Sequence, residues 1–163
     1  MSFWKLIKGI KYQQIASLST FFFMHPVLML ATIKATSRTL KIVQEEFPDI
    51  HGKDNKANAF RHALWNFLIA LACFRKEKNL EKVVFWTKEI TDWHEDFSPN
   101  IALAREVDLH NNHVGRALFL KQKSTTEKEI IRELKLMLIS AIQIESLNEI
   151  NHHSFELVFI NQD

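Results

Sequence analysis

The stretch ANAFRHALWNFLIALACF, residues 57–74, decides the fold of this chain. Drawn as a helix, it is apolar around most of its circumference, and it contains neither Gly nor Pro to break the helix. A helix that is apolar on nearly every side is stable only where other elements cover all of its faces. The sequence therefore predicts that this stretch is the central helix of a domain.

Helical patterns continue on both sides of the central stretch. The chain has only three Gly and three Pro, which favours long helices over a sheet with many turns. We predict an all-α fold in a single compact domain of residues 1–163, with a motif-bearing core at about 24–122 and an N-terminal basic and apolar helix at 3–22. The tail FELVFI, 155–160, fits either a short strand or a docked segment. The about six predicted helices are 3–22, 26–47, 57–76, 80–97, 101–122 and 125–150.

The composition excludes several classes of protein. The lone cysteine, Cys73, rules out a disulfide within the chain, argues against a Cys-based zinc site and favours a cytoplasmic location. The chain has no Gly-rich phosphate loop, no GxSxG elbow and no nucleic-acid module, so a nucleic-acid partner is not expected. The oligomeric state cannot be read from the sequence.

The N-terminal section is basic and apolar. No acidic residue precedes Glu45, whereas Lys5, Lys8, Lys11, Lys34, Arg38 and Lys41 do. This section predicts a peripheral association with an anionic membrane surface; the alternative is a solvated basic face. The apolar run 15–33 is interrupted by polar residues and by Pro26, so we predict two helices meeting there and not a membrane span.

Uncommon polar residues lie along the central helix. Asn58, His62 and Asn66 are spaced i, i+4 and i+8 and therefore share one line, with Arg61 beside it. Buried polar groups are costly unless each one finds a partner. Another polar surface must therefore face this line.

The fourth and fifth helices supply that surface. Residues 91–96 read TDWHED, and we place His94 in line with two threonines of the fourth helix, with Glu95 one step further round. In the fifth helix, Asp108, Asn112 and Arg116 are again spaced i, i+4 and i+8. Asp, Asn and His are poor helix formers and are uncommon together inside one helix. Departures from local helix preference tend to mark functional sites. We expect a polar cleft between the third, fourth and fifth helices.

Three interpretations of the cleft remain open. First, His62, His94 and Asp108 hold a divalent metal ion (zinc, manganese or iron), with Glu95 or His110 as a further ligand. Second, His62 or His94 is a metal-free general base oriented by Asp108 or Glu95, while Arg61 or Arg116 holds an anion such as phosphate or carboxylate. Third, the residues form a structural network in which Arg116 pairs with Asp108. The candidate catalytic residues are His62, His94, Glu95 and Asp108, and the candidate substrate-binding residues are Arg61, Asn66, Asn111, Asn112 and Arg116.

Three blocks carry a family resemblance: NKANAFRHALWNFLIA at 55–70, WTKEITDWHE at 86–95 and AREVDLHNNHVGRALF at 104–119. Together they resemble a bacterial family of helical proteins of unknown function, and similar blocks occur in secreted and toxin-like proteins. The resemblance covers most of the chain, from His25 through Phe119, and implies an all-α fold but no reaction. Its recurring polar positions map onto Arg61, His62, Asn66, His94, Glu95, Asp108, Asn111, Asn112, Gly115 and Arg116.

The sequence thus leads to two functional hypotheses. The first is a hydrolase-like enzyme that acts on an anionic substrate, a phosphoester or a lipid headgroup, with or without a metal ion. The second is a non-catalytic binding or membrane-peripheral protein whose His, Asn, Asp and Arg cluster is a structural network.

Overall fold

The computed structural model describes residues 12–48, 55–97 and 101–161. This part of the chain is mainly helical, with many contacts between helices, which confirms the all-α prediction. Its helices are α1 Tyr12–Met24, α2 Pro26–Glu46, α3 Lys56–Phe74, α4 Leu80–Phe97, α5 Ala102–Lys121, α6 Glu127–Ile139 and the short α7 Leu147–Ile150, and its strands are β1 Ile142–Gln143 and β2 Val158–Phe159.

The central helix is α3, as its sequence predicts. It packs most extensively against α5 and α2, and the side chains of Phe60 and Phe67 are fully buried. The side chain of Asn55 accepts hydrogen bonds from the backbone N–H groups of Ala57 and Asn58. This cap satisfies two of the amides that a helix leaves unpaired at its start. The N-terminal turn of α3, which carries the first of the polar residues, is thereby fixed.

The contact between α3 and α5 is unusually close at Gly115. A Cβ atom placed there would lie 2.1 Å from the carbonyl oxygen of Ala63, far inside van der Waals contact. Gly115 is therefore needed for the two backbones to touch. Because His62 precedes Ala63 and Asn112 lies one turn before Gly115, this crossing brings the polar lines of the two helices together.

The buried face of α4 changes in character along the helix. Toward the C-terminal end, Trp93 is only half-buried and Phe97 is exposed. Thr87, Thr91 and Glu95 are buried instead, with Glu95 at 1% exposure. These three residues are spaced i, i+4 and i+8, so the polar line facing α3 and α5 ends at Glu95. His94, which we expected to continue this line, is only half-buried.

The chain turns sharply between α1 and α2. The two helices are bent by 117° at a break before Pro26, as the sequence predicts. In the described residues, no single helix has the length and hydropathy of a membrane span. The bent pair taken together has them, by length and composition alone. The predicted start of the first helix, residues 3–11, lies outside the described residues.

The sixth predicted helix is too long. It ends at Ile139, and the chain then forms β1 and α7 where a continuous helix to residue 150 was expected. The reason is the tail, because β2 pairs parallel with β1: Ile142 N–H donates to Leu157 O at 2.9 Å, and Ile144 N–H donates to Phe159 O at 2.8 Å. The tail is thus a strand, and it buries Val158 and other apolar side chains in a small second core: Ala104, Val107, Ile144 and Ile160.

Candidate functional site

A buried polar cluster lies where α3, α4 and α5 meet. The line Asn58, His62 and Asn66 on α3 is buried, as predicted. It faces Glu95 of α4 and a line on α5. Every residue of the cluster is at most 6% exposed, so it is a closed polar core and not an open cleft. Its members are Asn58, His62, Asn66, Thr91, Glu95, Asp108, Asn112 and Arg116.

His62 lies between two carboxylates. Its Nδ1 is 3.3 Å from Glu95 Oε1, and its Nε2 is 3.4 Å from Asp108 Oδ1. The Nη2 of Arg61, the preceding residue, lies 3.1 Å from the same Nε2. Asp108 also accepts a hydrogen bond from Asn58 Nδ2 at 2.8 Å. The imidazole is therefore the bridge between the acidic groups of α4 and α5.

The amide of Asn112 determines which nitrogen of His62 carries a proton. A carboxylate can only accept, so the Asn112 group that faces Glu95 Oε1 at 3.1 Å is the Nδ2 donor. The oxygen, Asn112 Oδ1, therefore faces His62 Nδ1 at 3.1 Å, and it also accepts from Asn66 Nδ2 at 2.6 Å. It follows that His62 Nδ1 is protonated and donates. In the neutral imidazole, Nε2 is then left with a lone pair.

Glu95 carries the one carboxylate oxygen of the cluster that lacks a described partner. Its Oε1 is engaged, whereas Oε2 is buried and has no hydrogen-bond partner among the described residues. Burial opposes ionisation of this carboxyl, but the hydrogen bond and charge of His62, together with His94 and the amide of Asn112, hold its pKa below the ordinary value. Glu95 is thus a buried anion with an unused acceptor.

Arg116 occupies the other end of the cluster. Its Nη1 donates to Asn66 Oδ1 at 2.8 Å and lies 3.4 Å from Thr91 Oγ1. Burial lowers the pKa of the guanidinium, and the charge of Asp92 opposes this effect. The pairing of Arg116 with Asp108 that the network hypothesis expected is not formed, because Asp108 lies two turns away against His62.

Three half-buried side chains form a rim over the cluster: Arg61, Trp65 and His94. The ring of His94 meets Trp65 edge-on, with the ring centroids 5.2 Å apart. Burial lowers the pKa of His94, and the charges of His62 and Arg61 lower it further, against the opposing effect of Glu95. His94 is therefore a half-buried neighbour of the cluster, in contact with Trp65.

Two residues of α5 that were predicted for the site instead bind the C-terminal tail. The Nδ2 of Asn111 donates to Val158 O at 2.8 Å, and Val158 N–H donates to Asn111 Oδ1 at 3.1 Å. His110 Nε2 lies 2.9 Å from the carbonyl oxygen of Glu156. Both side chains therefore hold the C-terminal segment, and neither contacts the cluster around His62.

The structure changes the candidate metal ligands. In the described residues, one group of His, Cys, Asp or Glu side chains has potential ligand atoms within 4.8 Å of one another, namely His62, Glu95 and Asp108. Glu95 is in this group, and His94 and His110 are not. Asn58 and Thr91 were missing from the predicted site. The spacing Asn58–His62–Asn66 and the spacing Thr87–Thr91–Glu95 are the signals that identify them.

The fold and the site together define a class of protein: a helical domain with a closed polar cluster between three helices. A family model described as "Domain of unknown function (DUF6973)" matches residues 19–142. The match covers well over half of the chain, so the chain belongs to this family, in agreement with the resemblance given by its sequence blocks. No curated protein matches the chain.

Proposed function

We propose that this protein is a hydrolase that acts on an anionic ester, with its reaction centre at His62, Glu95 and Asp108. The observation that carries the proposal is the imidazole of His62, held between two buried carboxylates within 3.4 Å. A structural histidine needs one partner on each nitrogen, and an amide or a backbone carbonyl suffices. Two carboxylates are instead suited to stabilise the imidazolium that forms transiently when a general base removes a proton from water.

Arg61 is the group placed to hold the substrate. Its Nη2 lies 3.1 Å from His62 Nε2, and Arg61 is half-buried at the rim, so it links the cluster to the surface. A guanidinium binds phosphate or carboxylate oxygens through paired hydrogen bonds. An anionic ester bound there would bring its reacting atom next to the imidazole. We therefore favour a phosphoester, either soluble or in a lipid headgroup.

The proposed reaction is a hydrolysis in which His62 transfers the proton. Water gives a proton to Nε2, and its oxygen forms a bond to phosphorus. The bond from phosphorus to the ester oxygen breaks, and the leaving oxygen takes the proton from the imidazolium. Glu95 and Asp108 stabilise the imidazolium between these two events, and Arg61 balances the charge on the phosphoryl oxygens.

The test is a hydrolysis assay on the full-length protein, with and without added Mn²⁺. The substrates are p-nitrophenyl phosphate, bis(p-nitrophenyl) phosphate and phosphatidylglycerol vesicles. We expect turnover of at least one substrate, a loss of at least about 100-fold in His62→Gln and a weaker apparent affinity in Arg61→Ala. The control is Arg75→Ala, an exposed arginine directly after α3. The proposal fails if no substrate is hydrolysed, or if His62→Gln is as active as the wild type.

A second candidate function is peripheral membrane binding, and one surface favours it. The bend between α1 and α2 exposes apolar side chains, with Phe23 82%, Met24 67% and Val27 57% exposed. A groove of 380 Å³ adjoins this corner, and its lining mixes apolar side chains such as Trp86 with polar and charged ones such as Lys82 and Glu89. No acidic residue precedes Glu45 in the sequence, and an apolar surface within an acid-free section suits an anionic interface.

Vesicle co-sedimentation tests the membrane hypothesis. We expect pelleting with anionic vesicles, weaker pelleting with neutral vesicles, and release by salt, at about 1 kcal/mol per basic residue near the surface. Phe23→Ser should weaken binding, whereas Leu136→Ser, a 58% exposed residue of α6, should not. Equal pelleting with both vesicle types, or none, contradicts this candidate.

A further inference from the structure

Three ligand atoms converge inside the cluster. His62 of α3, Glu95 of α4 and Asp108 of α5 each offer a nitrogen or an oxygen within 4.8 Å of the other two. Their side chains are between 1% and 3% exposed. Because they come from three different helices, their meeting depends on the whole fold and not on a local turn.

The unpartnered oxygen of Glu95 is the first observation that points to a bound cation. Its Oε2 is buried and has no hydrogen-bond partner in the described residues. An ionised carboxylate buried without a partner is costly, so buried charges are paired or bind metals. The other oxygen, Oε1, already accepts from Asn112 Nδ2 and faces His62 Nδ1, so the carboxylate is held in place while Oε2 stays available. A cation satisfies the charge and the free lone pairs together.

The contact between His62 and Asp108 is the second sign. Because Nδ1 donates to Asn112, neutral His62 presents a lone pair at Nε2, and this atom lies 3.4 Å from Asp108 Oδ1. Two acceptors at this distance repel each other unless a positive charge lies next to both. Arg61 supplies part of that charge from the rim. A metal ion bound by both acceptors would remove the repulsion, and a proton on Nε2 is the competing explanation.

We infer that His62, Glu95 and Asp108 bind one divalent transition-metal ion of the manganese, iron or zinc type. One imidazole with two carboxylates is a mixed ligand set of the kind these ions accept, whereas Ca²⁺ and Mg²⁺ are bound mainly through oxygen. Asn58 donates to Asp108, and Asn112 donates to Glu95, so both carboxylates are held in orientation by outer amides.

The metal site deepens the proposed function and, as a catalytic site, rests on it. A metal-bound water has a lowered pKa and gives up its proton at neutral pH. If an ion is bound, His62 would help to hold it and could not also take the proton from water; the ion would supply the activation of water that the metal-free reaction assigns to His62. Arg61 keeps its role toward the anionic ester.

The experiment measures binding and not turnover. The full-length protein is treated with chelator, dialysed, and titrated with Mn²⁺ and then, separately, with Zn²⁺. We expect about one metal ion per chain and a melting temperature that rises with metal concentration. Glu95→Gln keeps the size of the side chain and should weaken binding by at least about 100-fold, since even outer-shell changes cost 10–100-fold. Glu89→Gln, an exposed residue on the same helix, should bind as the wild type does.

A measurement on the wild type alone covers the case in which Glu95→Gln does not fold. Paramagnetic Mn²⁺ should first broaden the NMR signals of α3 near His62 and of α4 near Glu95. The inference is overturned if neither metal binds at about one per chain, if Glu95→Gln binds as tightly as the wild type, or if broadening is confined to other residues such as His152 and His153.

The results of the binding and hydrolysis assays distinguish the two proposals. If a metal ion binds at the cluster and no ester is hydrolysed, the metal site stands and the hydrolase proposal fails. If an ester is hydrolysed at the same rate after chelator treatment, and no metal binds, the hydrolase proposal stands and the metal site fails.

Discussion

The substitution Gly115→Ala tests the close crossing of α3 and α5 on which the cluster depends. On an isolated helix, this change is stabilising by roughly 1 kcal/mol, because Ala is the better helix former. In this protein, the new Cβ would lie 2.1 Å from Ala63 O, 2.9 Å from its carbonyl carbon and 3.0 Å from its Cα. All three are backbone atoms, so no side chain can turn away to make room.

The cost follows from the displacement that relieves this overlap. The helices must separate by about 1 Å, and a gap of that size forfeits a quarter to half of the attraction of the atom pairs it opens. Overpacking of this kind costs about 1–3 kcal/mol. We take the upper value, about 3 kcal/mol, because the clash is with backbone, and subtract roughly 1 kcal/mol for propensity, which leaves a net loss of about 2 kcal/mol.

Urea unfolding followed by circular dichroism measures this loss as a lower midpoint. The matched control is His113→Ala, at an exposed position of the same helix, which should change stability by less than about 0.5 kcal/mol. If Gly115→Ala is as stable as the wild type, or more stable, helix propensity outweighs the contact and the close crossing is refuted. Separation of the helices should also weaken Mn²⁺ binding, because His62 and Asp108 lie on the two helices concerned.

Three further predictions concern the cluster and the tail. Chelator should lower the melting temperature of the metal-loaded wild type but leave that of Asp108→Asn unchanged, because the variant binds no metal ion. A large drop in the melting temperature of Asp108→Asn that is the same with and without chelator would instead favour a structural network. The unfolding free energy should fall as pH drops from 7 toward 5, because the pKa of His94 is lower in the folded protein than in the unfolded chain. Its contribution to stability is fully present above the unfolded pKa and is lost as pH falls through the folded pKa. In His94→Gln the unfolding free energy should depend less steeply on pH, and an unchanged dependence would contradict the lowered pKa of His94. Asn111→Ala should free Val158 and speed proteolysis of the tail, with a cost of about 1–3 kcal/mol for the unpaired backbone groups; unchanged cleavage would show that the tail is held by packing alone.

Much of the fold can be predicted from periodicity. Helices such as α4, which begins at residue 80 and ends at residue 97 as expected, carry a clear pattern over many residues. The same reasoning failed after Ile139, where the pattern of residues 142–150 is also compatible with a helix. There the outcome depends on a partner far along the chain, the strand at 158–159, and local sequence does not carry that information.

The candidate site could be predicted in part. Spacing along α3 correctly grouped Asn58, His62 and Asn66, because residues four apart share a face of a helix. It could not decide between His94 and Glu95, which are adjacent in sequence and about 100° apart around the helix. That choice depends on how α4 is rotated against its neighbours, and the rotation is set by packing across the interface.

Two neighbouring asparagines give α5 a register that cannot be shifted. Asn111 fits the backbone of the tail, Asn112 fits His62 and Glu95, and Gly115 fits the backbone of α3. Inserting or deleting one residue among them would rotate two of the three away from their partners, whereas the loop with the exposed turn at 123–124 contacts none of these partners. Related chains should therefore differ in length at that loop and never within 111–116, a pattern that a comparison of homologous sequences would reveal as a gap-free block.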